Sequence, residues 1–269
     1  MDYKNLLRWG ALSALFLSLF VPFIVAVGGF WPNLFFPYIS GKNFAFRILV
    51  EFAFLCYVLL ALRDPKYRPQ GSTLLWTVTA FVGWMAVATI FSVDPVKSLW
   101  SNFERMEGYV GLVHLFLWLL VTGAMFTAGK YWDTIFNSSI TVSAVQGGWA
   151  IFQTLGWLSI STQSGVRSDT TFGNATYLAV YLLINFFLTL YMLARTKDSR
   201  NAATYQMLYG AALVLQASGI FLTETRGAIL GTAAGLGVAA LYYLFFTKGR
   251  DTQTIRRVAL AAIVLMVVA

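Results

Sequence analysis

Long apolar stretches broken by short polar ones set the pattern of this chain. No Asp, Glu, Lys or Arg occurs within 9–41, 70–93, 108–129, 134–166, 170–194, 201–223 or 227–247. Each run is long enough to hold a membrane-crossing helix of about 20 residues. The stretch 43–62 is similar but carries Arg47 and Glu51. The pattern predicts an all-α fold, a polytopic membrane bundle and one membrane domain over 1–269. Eight complete spans fall at 9–30, 43–62, 73–91, 108–128, 134–157, 173–194, 203–222 and 227–246, and a truncated ninth starts near 258. Lys4 and Arg8 before the first run resemble the start of a signal peptide. That run is too long for one and lacks a small-x-small exit, so it reads as a retained helix.

Composition agrees with the pattern. Only 11% of the residues are charged and 58% are hydrophobic, against roughly 25% charged in a soluble domain. The single cysteine, Cys56, sits in the second run and excludes an internal disulfide. The net charge of +8 is an orientation signal rather than a nucleic-acid footprint. With the N-terminus in the cytoplasm, 13 of the 19 basic residues fall in inside segments such as "RDPKYRP" (63–69) and "RTKDSR" (195–200). Cytoplasmic loops carry that excess. No nucleic-acid partner is expected; membrane lipids are.

The outer segments differ in character. "SVDPVKSLWSNFERMEG" (92–108) mixes both signs with Trp100 and Phe103 and reads as an interfacial amphipathic segment. Arg105, Arg167 and Arg226 each precede a helix that runs inward. Unpaired N–H groups and the positive dipole end lie at such helix starts. Guanidinium grips phosphate through two parallel hydrogen bonds. Three arginines on one face therefore make a candidate anion site. Each has a plainer reading. Arg226, in "TETRGAILG", can snorkel with Glu224 as a weak partner. Arg167 and Asn174, in "VRSDTTFGNATYLAVYL", can belong to a polar loop with Asn174 as helix N-cap. Arg105 can pair with Glu104 or Glu107. Arg47 and Glu51 are i, i+4 neighbours, read as an ion pair or as part of a ligand site. Gly227, Gly231 and Gly235 form a doubled GxxxG that lets another helix backbone approach. His114 is the only histidine and reads as a packed polar residue or a general base. No Cys/His cluster or phosphate loop is present, so no metal and no cofactor is expected.

Three motifs, "SLWSNFERMEGYVGL", "RSDTTFGNATYLAVYL" and "TETRGAILG", in this order and on successive outer segments, resemble the bacterial O-antigen ligase and O-antigen polymerase family. Arg167, Thr171, Phe172, Gly173 and Asn174 match its middle motif, with Ala175 and Thr176 where Pro-Asn is usual. Thr223, Arg226 and Gly227 match the last. The resemblance implies a bundle of about a dozen spans in the bacterial inner membrane. It implies transfer or polymerisation of glycan from undecaprenyl diphosphate, at the periplasmic face, to a glycan, lipid or protein hydroxyl. Arg167 and Arg226 would hold the diphosphate as catalytic residues; Arg105, Asn174 and Arg47 would contribute to substrate binding. In the family a histidine in a long external loop is thought to activate the acceptor. No such loop histidine occurs here, so the chain reads as an N-terminal fragment that binds without transferring. The competing reading is a transporter or flippase for the same lipid-linked oligosaccharide. Transporters hold substrate charges near the midplane, whereas most of these charges lie at the outer surface.

Overall fold

The structure is a computed structural model. It describes residues 3–26, 34, 36–102, 105–161, 164–196 and 199–246. Among them all regular structure is helical: α1 Tyr3–Ser18, α2 Ser40–Arg63, α3 Thr73–Ile90, α4 Pro95–Trp100, α5 Tyr109–Met125, α6 Gly129–Thr154, α7 Ala175–Arg195, α8 Ala202–Leu222 and α9 Arg226–Phe246. Four of these, α2, α3, α7 and α8, are long and apolar enough to cross a membrane. In α3 only Val82 is buried, while Trp76 and Trp84 are 69% and 71% exposed. A helix apolar all round and uncovered by protein is stable only in an apolar surrounding. The chain divides into two compact units, 1–139 and 140–269.

The helix ends follow local chemistry. The first helix begins and ends earlier than the predicted 9–30: α1 stops at Ser18 and a 3₁₀ turn, Val21–Phe23, follows. Pro22 has no N–H to donate to the Ser18 carbonyl, and its ring crowds that carbonyl, which outweighs the apolar pattern. α3 opens on Ser72, whose hydroxyl accepts from Leu75 N at 3.1 Å. The interfacial segment holds the short α4, capped by Asp94, whose carboxylate accepts from Lys97 N at 3.0 Å. α6 ends in a Schellman turn. Gly156 takes φ +77°, Gly156 N donates to Gln153 O at 3.0 Å, and Trp157 N donates to Phe152 O at 2.9 Å. The Phe152 and Trp157 rings stack across it, 5.4 Å apart. The ninth predicted helix lies outside the described residues.

In the first unit α1, α2 and α5 enclose a core around Leu15, Leu60 and Val121. In the second, α7 contributes Leu178, Leu182 and Phe186 to a core shared with Ala150 and Ile220. The close backbone approach expected along Gly227, Gly231 and Gly235 occurs elsewhere. Gly231 and Gly235 receive the side chains of Leu183 and Phe187 from α7. It is Gly147 of α6 that meets a helix backbone, that of α8: a Cβ there would lie 2.3 Å from Leu215 O. Gly147→Ala is therefore expected to force α6 and α8 apart at about 1–3 kcal/mol. Gly148→Ala meets nothing within 4 Å and is expected to gain up to about 1 kcal/mol in helix propensity. Thermal unfolding of both variants in detergent checks this; equal midpoints would refute the close crossing.

Candidate functional site

Arg167 and the turn before α9 come together in the second unit. Arg167 donates from Nε to Thr223 O and from a terminal nitrogen to Thr225 Oγ1, both at 2.8 Å. Ser168 N donates to Leu222 O at 3.2 Å. Thr223 is fully buried, and its hydroxyl donates to Ile220 O at 2.7 Å. Glu224 turns the chain outward at φ +50°, a conformation uncommon for a side chain of this kind. Arg226 follows as the exposed first residue of α9. Two sequence motifs 59 positions apart thus share one surface. Guanidinium has five N–H donors, so Arg167 keeps some free while it fixes the turn. Among the described residues no ion pair engages Arg47, Arg105, Arg167 or Arg226, and Glu224 does not partner Arg226.

The loop that carries Arg167 is held from below by Gln153 of α6. Its Nε2 donates to Asp169 Oδ1 at 3.1 Å and to Ser159 O at 2.6 Å. Its Oε1 accepts from Asp169 N at 3.2 Å and Thr170 N at 2.9 Å. All four hydrogen-bonding positions of the amide are filled. Asp169 is fully buried and also accepts from the Ser161 backbone at 3.2 Å and from its hydroxyl. The carboxylate two residues from Arg167 is thus turned inward, and no acidic side chain among the described residues pairs with Arg167. Gln146, one α6 stripe higher, donates to Thr171 Oγ1 at 2.8 Å. Asn174 is the N-cap of α7: its Oδ1 accepts from Thr176 N at 2.9 Å and Tyr177 N at 3.3 Å. Sequence reasoning passed over Gln146 and Gln153. The available signal was their spacing of seven with Ser143 nearby, a polar stripe inside an apolar span.

Arg47 and Arg105 belong to the first unit. The expected Arg47–Glu51 ion pair does not form there. Asn43, Arg47 and Glu51, one per turn of α2, each reach the segment before or within α5. Asn43 Nδ2 donates to Arg105 O at 2.9 Å, Arg47 donates to Met106 O, and Glu51 meets His114 Nε2 at 3.0 Å. Side-chain reach explains the difference. A guanidinium directed at a loop carbonyl satisfies a buried donor that a largely exposed Glu51 would satisfy less well. Arg105 does not pair with Glu107 either. Its guanidinium lies 4.5 Å over the Phe36 ring, and its buried Nε has no hydrogen-bond partner. Glu104 is outside the described residues.

His114 is buried in α5 with both ring nitrogens engaged. Nδ1 faces Val110 O at 2.7 Å, and a carbonyl only accepts, so Nδ1 carries a proton. Nε2 meets Glu51 Oε1 at 3.0 Å. No ring nitrogen is left to face a substrate, so the packed-residue reading fits this geometry. Among the described residues no group of three His, Cys, Asp or Glu side chains is placed to hold a metal ion. No protein-family model, curated protein or solved structure matches the chain.

Proposed function

We propose that the chain is a polytopic protein of the bacterial inner membrane that binds the diphosphate of an undecaprenyl-diphosphate-linked glycan for transfer to an acceptor hydroxyl. In this reading eight helices cross the membrane and the N-terminus is cytoplasmic. Arg167, Arg226 and the start of α9 face the periplasm. The observation that carries it is the bonding of Arg167 to Thr223 and Thr225, which sets its guanidinium beside the turn that ends in Arg226. Donors fixed in advance suit a leaving group that gains negative charge as the sugar bond breaks. Arg167 is held by the fold, while Arg226 is exposed and has no ion-pair partner among the described residues, as suits a residue that meets a ligand. These motifs resemble those of the O-antigen ligase and polymerase family, which is the second support.

The test uses the purified chain in vesicles with radiolabelled undecaprenyl-diphosphate glycan. Saturable binding without movement of glycan across the bilayer is the expected result, and no turnover, since the only histidine is already engaged in α5. Glycan crossing the bilayer in an Arg226-dependent manner would establish the transporter reading instead. Orientation is read separately, in a Cys56→Ala background. Ser164→Cys should label from outside in intact spheroplasts and Lys66→Cys should not; the opposite pattern would overturn the periplasmic site.

A further inference from the structure

The last three turns of α1 and the start of α6 enclose an open groove of about 710 Å³. Polarity changes along it in one direction. Arg8 and Lys130 stand at its head, and Leu12, Phe16 and Leu17 continue along α1 below them. The two cations share one aromatic ring. Arg8 donates to the Tyr131 hydroxyl, its guanidinium lies 5.9 Å from the ring centre, and Lys130 Nζ lies 5.3 Å from the same centre. Neither cation has an ion-pair partner among the described residues. Asp133, three residues beyond Lys130, does not line the groove. From Arg8 to Phe16 the helix advances about 12 Å. The wall therefore offers positive charge, then roughly two turns of mainly apolar surface in which Ser13 and Thr134 are the polar members. Trp9, 52% exposed beside Arg8, is the residue type that marks the level of lipid headgroups.

We propose that this groove holds one anionic glycerophospholipid, its phosphate between Arg8 and Lys130 and one acyl chain laid along α1. Charge complementarity selects the headgroup and the apolar wall selects the tail. A soluble anion would use only the first and a neutral lipid only the second. In the orientation proposed above the lipid comes from the cytoplasmic leaflet, where anionic lipids attract basic residues. The inference rests on the membrane placement in the proposed function and is independent of glycan transfer.

The experiment is native mass spectrometry of the purified 269-residue chain with phosphatidylglycerol or phosphatidylcholine added at equal concentration. One phosphatidylglycerol per chain is the expected adduct. The double variant Arg8→Gln/Lys130→Gln should weaken it about thirtyfold, the loss of two basic contacts at a membrane surface. Ser13→Trp, at an exposed position that lines the groove, should block the tail and remove the adduct while both cations stay in place. Equal retention of phosphatidylcholine, or an adduct that survives both variants, would overturn the site. Displacement by glycerol phosphate would overturn the lipid in favour of a free-anion site. Arg226→Ala should keep the phosphatidylglycerol adduct, so a failed lipid test and a failed glycan test are told apart.

Discussion

Gln153→Leu is expected to be among the most destabilising single changes in the second unit, at about 3–5 kcal/mol, as the sum of several orphaned buried groups. The reason is the number of groups released at once. The Asp169 and Thr170 N–H groups lose their acceptor, and the fully buried Asp169 carboxylate loses a donor. Each orphaned group costs about 1–3 kcal/mol. Thr170 also holds φ +48°, which persists only while its surroundings fix it. A loss of this size is a large part of the total of about 5–15 kcal/mol for a typical fold. The readout is thermal unfolding in detergent, with thiol labelling of Ser164→Cys reporting on the loop itself. An unchanged midpoint and unchanged labelling rate would show that Gln153 does not hold the Arg167 loop.

Arg226→Ala is expected to weaken binding of undecaprenyl-diphosphate glycan by about 1.5–3 kcal/mol, the worth of hydrogen bonds to a charged group. That is roughly 10- to 150-fold in affinity. Arg226→Lys should recover only part, because a point charge cannot reproduce the planar fork. Arg226 is exposed and makes no ion pair among the described residues, so the variant is expected to leave folding intact and the loss to read on the ligand. Arg167→Ala should also weaken binding, and in addition lower thermal stability, because it releases Thr223 O and Thr225 Oγ1. The pair of variants separates a residue that meets the ligand from one that also builds the site. Wild-type affinity in a folded Arg226→Ala chain would remove the diphosphate reading.

The helices were legible because apolar runs and their charged borders are local properties. The predicted 43–62, 73–91, 203–222 and 227–246 lie within three residues of α2, α3, α8 and α9 at either end. The first helix misled because Pro22 interrupts a run that carries no charge and is otherwise mainly apolar. Partner choice was the harder part. Arg47 and Glu51 are correctly spaced to pair, yet their partners lie 59 and 63 positions away. Only the fold reveals those partners. Gly147 gave no sign either. Its neighbour Gly148 looks the same in sequence, and the position of α8 alone distinguishes them. For the candidate site, the arginines stood out because charge is rare in such a chain, whereas the glutamine beneath them did not.

The way α2 grips the segment before α5 has an evolutionary consequence. Asn43 and Arg47 bind the carbonyl oxygens of residues 105 and 106, and every amino acid supplies a carbonyl. The two acceptors therefore survive a change of side chain, whereas the contact of Arg105 with the Phe36 ring does not. Change at these positions is limited by the Phe36 contact and by the φ of +50° at Met106, while the two backbone attachments to α2 stay in place.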